Sequence, residues 1–188
     1  MKKARLEDKN LVVDILTDAY HSNPQVDFLL KKTINKSKLR TAMEYIFDLA
    51  FHGGEIYLNE DNTAVALWDT SNKRKFSFRQ FFQEIKLTLQ LGFDSTIRVL
   101  RLNKIFETSI PEKQNFARLY AIAVKPEGKG YTKKLIDYMS EKMSQTKATL
   151  FLDTSTASEI GTLNKFGFHV FKAVAIDNQK LFFMQKPC

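Results

Sequence analysis

The residues best suited to chemistry lie in one stretch, Leu119 to Tyr138, LYAIAVKPEGKGYTKKLIDY. Its centre is a Gly-x-Gly turn, Gly128-Lys129-Gly130, preceded by an apolar run and followed by a helical pattern. Leu119 to Val124 reads as a buried strand. Pro126 ends strand pairing, because it has no backbone N–H to donate. After the turn, Tyr131, Leu135, Met139 and Met143 recur at helical spacing and mark a buried face. Glycines without a Cβ let the backbone approach a ligand. The first turn of the helix offers unpaired N–H groups and the positive end of its dipole. With Lys129, Lys133 and Lys134 adding charge, the stretch suits a phosphate or pyrophosphate. Taken by itself it also admits a plain turn before a helix. It is not a P-loop, which needs Lys-Ser/Thr after its second glycine. It is not GxGxxG either, since Lys133 stands where the third glycine belongs.

The elements that must position this turn are legible along the chain. Lys3 to Leu6 reads as a first strand, and Asp8 as the cap of a helix carrying Leu11, Val12, Ile15, Leu16 and Ala19. Asn23-Pro24 breaks that helix. Val26, Phe28, Leu29 and Leu30 suggest a short helical piece. Ser37 to His52 is a stronger helix, closed by Gly53-Gly54, with His52 in its last turn. His52 is expected to be structural, His21 to sit at a helix end, and His169 to pack or point outward from a strand. Glu55 to Leu58 and Ala64 to Trp68 read as strands paired around Asp61-Asn62. Between Asp69 and Asn115 lies a long insertion. Phe78, Phe81, Phe82, Ile85 and Leu89 form one helical stripe in it, and Ile97, Val99, Leu100, Leu102, Ile105 and Phe106 another. Ala148 to Leu152, Phe168 to Ala175 and Leu181 to Met184 read as strands, with a short helix from Ser158 to Lys165. The order is β, helices, β-β, helical insertion, β-α-β-α-β-β, an α/β domain with a mixed sheet.

Composition sets the outer bounds. At 188 residues with 44% hydrophobic content, the chain is expected to be one globular domain, 1–188. No apolar run is long enough for a signal peptide or a membrane span. Cys188 is the single cysteine, so no internal disulfide can form. A cytoplasmic location is expected, with no membrane and no metal. The formal charge of +8 comes from 29 basic and 21 acidic residues. Such a balance suits nucleic acid, an anionic membrane or an anionic ligand. No nucleic-acid motif accompanies it, and the short run Lys73-Arg74-Lys75 reads as a solvated loop.

The run VKPEGKGYTKKLI resembles the coenzyme A motif of the GNAT acetyltransferase superfamily, V-x-P, a short spacer, Q/R-G-x-G-x-G/A, then an apolar helix. A second run, LDTSTASEIGTLNKFGFHV from Leu152 to Val170, resembles the family's ending, L-E-T-S, a short helix, then F-G-F. Leu152, Asp153, Thr154, Ser155, Phe166, Gly167 and Phe168 stand in register with it. The resemblance implies a GNAT-like fold: a mixed, mostly antiparallel central sheet flanked by helices. The helical insertion, about residues 70–114, would fall between the third and fourth strands and wall the acceptor side.

It also implies acetyl transfer from acetyl-CoA to an amine of a small molecule or protein, without a covalent enzyme intermediate. By analogy, the backbone of Ile122, Ala123 and Val124 would run along the pantetheine arm. Gly128, Lys129, Gly130, Tyr131, Thr132 and Lys133 would cradle the pyrophosphate. The candidate bases are Asp153, Asp69 and Glu60, and Tyr120 is a candidate acid. The chain departs from the pattern in four places. The spacer after Pro126 is short. Glu127 replaces the usual Gln or Arg and is expected to point away. Thr132 replaces the last Gly or Ala. Leu163 occupies the place of the family's proton-donating Tyr. The alternatives to an acetyltransferase are a coenzyme A-binding protein that has lost catalysis and a basic interaction module. Either a monomer or a homodimer is compatible with the sequence.

Overall fold

The computed structural model describes residues 1–21, 23, 26, 35–70, 88, 92–110, 115–176 and 179–188. Their apolar runs assemble into one seven-stranded sheet in the order β1-β2-β3-β4-β5-β7-β6. The strands are β1 (Lys2–Lys3), β2 (Gly54–Leu58), β3 (Ala64–Asp69), β4 (Phe116–Val124), β5 (Thr149–Thr154), β6 (His169–Ile176) and β7 (Gln179–Pro187). All neighbours are antiparallel except β4 and β5. That parallel step needs a crossover, which the helix between the two strands supplies.

The helices are α1 (Lys9–Tyr20), α2 (Lys36–Gly53), α3 (Phe93–Glu107), α4 (Tyr131–Ser144) and α5 (Ala157–Lys165). On one sheet face, Val12 and Leu16 of α1 and Leu39 and Phe47 of α2 pack on Leu58, Val65 and Leu67. On the other, Leu135, Ile136 and Met139 of α4 pack on Ala66, Trp68, Leu150 and Met184. A third cluster joins Leu102 and Phe106 of α3 to Phe151, Phe183, Ile176 and Leu181. Among the described residues, no helix is long and apolar enough to cross a membrane, and no group of His, Cys, Asp and Glu could hold a metal ion.

Strand β4 carries an irregularity that organises everything around it. Trp68 pairs with Leu119 and Leu67 with Ala121, so Tyr120 is an extra residue, a β-bulge. The packing shows the consequence. Ala117 and Leu119 face α4, whereas Ala121 and Ala123 face α1 and α2. Four positions of one parity therefore split between the two faces, because one inserted residue reverses the alternation. A bulge also bends its strand. β4 pairs β5 only from Phe116 to Arg118, opposite Thr149 to Phe151, and beyond these rungs the two strands part.

Several sequence expectations are corrected. The first strand is Lys2–Lys3, not Lys3 to Leu6, and Leu6–Asp8 is a 3-10 turn. Asp8 causes this: its Oδ2 accepts the Arg5 N–H at 2.8 Å, tying the chain back. For the same reason it does not cap α1 through its side chain. Gly54 closes α2 as its C-cap, as the sequence suggests. It is extended, with φ −165, and opens β2. There a Cβ would stand 1.9 Å from the Trp68 carbonyl oxygen, so close strand packing demands the glycine. On α4 the expected face does pack on the sheet: Leu135 and Met139, with Ile136, are fully buried, and Tyr131 and Met143 are half-buried against the same cluster. The expected features at Pro24, Phe28 to Leu30, Lys73 to Lys75 and Phe78 to Leu89 lie outside the described residues, apart from position 88.

Candidate functional site

The parting of β4 and β5 opens a cavity of about 570 Å³ that passes from one sheet face to the other. Its floor is β4 from Leu119 to Val124, and its far wall is Leu152, Asp153 and Thr154 of β5. α1 contributes Ala19 and Tyr20 on one face, and α5 contributes Ser158, Thr162 and Leu163 on the other. Thr132, in the first turn of α4, marks the end nearest the Gly-x-Gly turn. The structure thus brings Tyr120, Ile122, Ala123, Val124, Thr132, Asp153 and Leu163 to one cavity. Glu60 stays exposed in the turn after β2, away from it.

The two glycines of the turn do different jobs. Gly128 is buried, and a Cβ on it would meet Thr63 Oγ1 at 2.8 Å. Its smallness serves the contact with the β2–β3 turn. Gly130 is the N-cap of α4 at φ +95, and a Cβ there would meet nothing within 4 Å. The left-handed backbone explains this glycine. No side chain caps the first turn of α4, so its N–H groups face outward at the positive end of the dipole. Lys129 and Glu127 are exposed. Lys133 pairs with Asp137 at 2.5 Å, and Lys134 lies 4.8 Å from the Tyr131 ring centroid. Tyr131 is turned toward the β2–β3 turn, donating to Asp61 Oδ2 at 3.2 Å.

At the opposite end, polar groups are locked together. The Tyr120 hydroxyl donates to Asp69 Oδ2 at 2.6 Å, and Asp69 is buried. Asp153 accepts from Arg118 at 3.0 Å, and the same guanidinium donates to Asn103 of α3 at 3.0 Å. Arg118 is only 6% exposed and lies 3.9 Å over the Phe106 ring. Asp153 therefore already matches a buried cation. The described part of the insertion reaches the site only through this arginine. No described residue of α3 lines the cavity, and most of the insertion, 71–87, 89–91 and 111–114, lies outside the described residues, as does the expectation that it walls the acceptor side. α3 packs instead on the Phe-rich cluster of β5 and β7 because Leu102 and Phe106 point there.

Two site residues were not singled out in the sequence. Arg118 had a visible signal, a lone charge inside the apolar run FARLYAIAV. Tyr20 had none, since it continues the apolar pattern of α1. Its hydroxyl donates to the Ile122 carbonyl and accepts from the Ile122 N–H, both at 3.3 Å. Burial pushes its pKa up to about 12, partly offset by the Ile122 backbone bond. Near α5, Thr154 Oγ1 donates to Glu159 at 2.6 Å and accepts the Thr156 N–H at 3.1 Å. His52 Nδ1 lies 2.8 Å from the Asp48 carbonyl, in a structural role. His21 caps the end of α1, and His169 is exposed on β6, 3.0 Å from Gln185.

This mixed, mostly antiparallel sheet flanked by helices is a fold shared with solved acetyltransferases, among them one described as a putative acetyltransferase of the GNAT family from Desulfovibrio desulfuricans. Solved structures share it over nearly the whole chain. A structure described as histone acetyltransferase HPA2 and related acetyltransferase, from Corynebacterium glutamicum, matches at TM-score 0.66 and 17% identity, covering 99% of this chain and 94% of its own. Arylalkylamine N-acetyltransferase 2 from Aedes aegypti matches at 0.69 and 13%, covering 99% and 97%. The C-terminal condensation domain of Ebony, solved with beta-alanyl-dopamine, matches at 0.69 and 10%, covering 100% and 97%. The sequence matches no known family profile and no curated protein.

Proposed function

We propose that the chain is an acetyl-CoA-dependent N-acetyltransferase acting by direct transfer to an amine. The observation that carries this reading is the cavity between β4 and β5, which runs from the Tyr120 bulge to the uncapped N-terminus of α4. An extended arm fits such a slot, because the β4 backbone from Ile122 to Val124 offers ladder groups along it. The first turn of α4, with Gly130 open to solvent and Lys129 beside it, suits a pyrophosphate. In this reading Gly128 serves the shape of the turn, and Lys133 adds charge already shared with Asp137.

The chemistry follows from what lines the other end. A neutral amine attacks the thioester carbonyl, backbone N–H groups of β4 steady the oxyanion, the C–S bond breaks to release the thiolate, and the new amide nitrogen sheds its extra proton to solvent. Leu163 lines the cavity where the resembled family has a tyrosine, and it cannot donate a proton. Tyr120, bound to Asp69, is the hydroxyl that takes that role here. Asp153, matched by Arg118, orients the site.

Coenzyme A titration by thermal melting tests the reading. At 100 times its dissociation constant, a ligand stabilises a fold by about 2.7 kcal/mol. The melting temperature should rise by about 5–10 °C. The rise should shrink in Gly130→Glu, and in Lys129→Glu, which avoids the left-handed position. No rise in the wild type at millimolar ligand overturns the assignment. Thiol release over a panel of arylalkylamines, polyamines, amino acids and peptides then finds the acceptor. A second reading, a coenzyme A-binding protein without catalysis, is favoured by Leu163 alone. Binding without release across the panel would establish it.

A further inference from the structure

We infer that Tyr20 is a latch on the pantetheine slot, competing with the ligand for the Ile122 rung of β4. The inference rests on the coenzyme A reading above and names a residue that the resemblance does not supply. In an antiparallel ladder, alternate residues turn their N–H and C=O away from the partner strand. Ile122 stands opposite Ala66 of β3, yet both its polar groups bond to Tyr20. They therefore face the side where β4 and β5 have parted. Ligand amides running along β4 would take the same N–H and the same carbonyl. One hydroxyl oxygen, 3.3 Å from each, already stands on that path. The Ile122 carbonyl can accept twice, but its one N–H cannot donate fully to both partners, and the hydroxyl oxygen fills the path, so Tyr20 has to leave before the arm is seated.

The geometry also says how strong the latch is. Both bonds are longer than the usual range, so each is weak. A neutral hydrogen bond contributes little net stability, and a long one least. Breaking two of them lowers apparent affinity by about three- to tenfold. A ligand lacking the arm would not feel the latch, because it would bind at the α4 N-terminus without taking the Ile122 N–H or carbonyl.

The test compares wild type with Tyr20→Phe, which keeps the ring in the wall and removes only the hydroxyl. Three ligands are titrated calorimetrically: coenzyme A, pantetheine, and the nucleotide half, adenosine bisphosphate. The expected result is that coenzyme A and pantetheine bind about three- to tenfold tighter to Tyr20→Phe, with adenosine bisphosphate unchanged. Binding of coenzyme A to Tyr20→Phe alone would equally support a latch that is fully closed. Equal or weaker coenzyme A binding in the variant overturns the latch and leaves the coenzyme reading standing. An equal gain for all three ligands also overturns it, as a general loosening of the fold. If neither protein binds coenzyme A, the coenzyme reading fails and the latch fails with it.

Discussion

At the scale of residues, the site is held by groups that bond to one another before any ligand arrives. Tyr120 reaches Asp69, Arg118 reaches Asp153 and Asn103, and the arginine lies 5.3 Å from the Tyr120 ring centroid. This arrangement fixes the Tyr120 hydroxyl at the bulge, where the strands part. If Tyr120 protonates the departing thiolate, Tyr120→Phe should lower turnover by about 10²- to 10⁴-fold, with coenzyme A affinity kept. Leu163→Tyr should raise turnover, since it returns a hydroxyl to the cavity wall. Steady-state rates at saturating acetyl-CoA check both, and full activity in Tyr120→Phe makes solvent the acid. At this scale the sequence was legible where a residue type breaks a pattern, as at Gly130 or Leu163. It was silent on Tyr20, because a tyrosine at a helix end reads the same whether its hydroxyl meets water or a strand. It also gave no means of pairing Asp153 with Arg118, which lie far apart in the chain and meet only across the parallel step.

At the scale of elements, helices α1, α2, α4 and α5 follow from periodicity within a residue or two at their ends. The Gly-rich turn follows from Pro126 and Gly130. The bulge did not. In FARLYAIAV most positions are apolar, so no alternation exists for an extra residue to disturb. The ladder register and the split of Leu119 and Ala121 between faces reveal it. Glycines test how tightly elements meet. At Gly54 an added Cβ would stand 1.9 Å from the Trp68 oxygen and 2.8 Å from its carbonyl carbon, both rigid backbone. Gly54→Ala should therefore cost at least about 2 kcal/mol by separating β2 from β3. Gly161 lies mid-helix in α5, exposed, with nothing within 4 Å of its would-be Cβ. Gly161→Ala should stabilise by about 0.5–1 kcal/mol. Urea unfolding of the two variants measures both, and a destabilised Gly161→Ala would contradict the packing described for α5.

At the scale of the whole molecule, a polar staple ties the start of the chain to the sheet and to α4. Lys142 of α4 donates to both Glu55 oxygens at 2.6 Å and to the Tyr57 hydroxyl at 2.8 Å, and Lys3 of β1 reaches Glu55 at 3.1 Å. Burial alone would raise the Glu55 pKa, but the bonds from Lys142, Lys3 and Tyr57 overcome it and leave the carboxyl below 4.5. Lys142 moves the other way. Burial would lower it, yet the bonds to Glu55 and Tyr57 hold it above 10.5. The signs give two limbs. A depressed carboxyl contributes stability that is present above 4.5 and lost as pH falls through its folded value. A raised lysine contributes stability that is full below 10.5 and lost as pH rises through its folded value. Tyr20 adds to the alkaline limb, because its unfolded form loses a proton near 10 while the folded form holds it to about 12. Glu55→Gln should therefore cost about 1 kcal/mol near neutrality, the Lys142 end being part-exposed. That is about 2–4 °C in melting temperature. The same variant should flatten the acid limb below pH 4.5, with the Tyr20 part of the alkaline limb surviving. Tyr20→Phe should do the reverse, leaving the acid limb intact and reducing the alkaline one. Urea unfolding at several pH values from acid to alkaline separates the two, and an unchanged acid limb in Glu55→Gln would mean that the staple does not couple the sheet edge to α4.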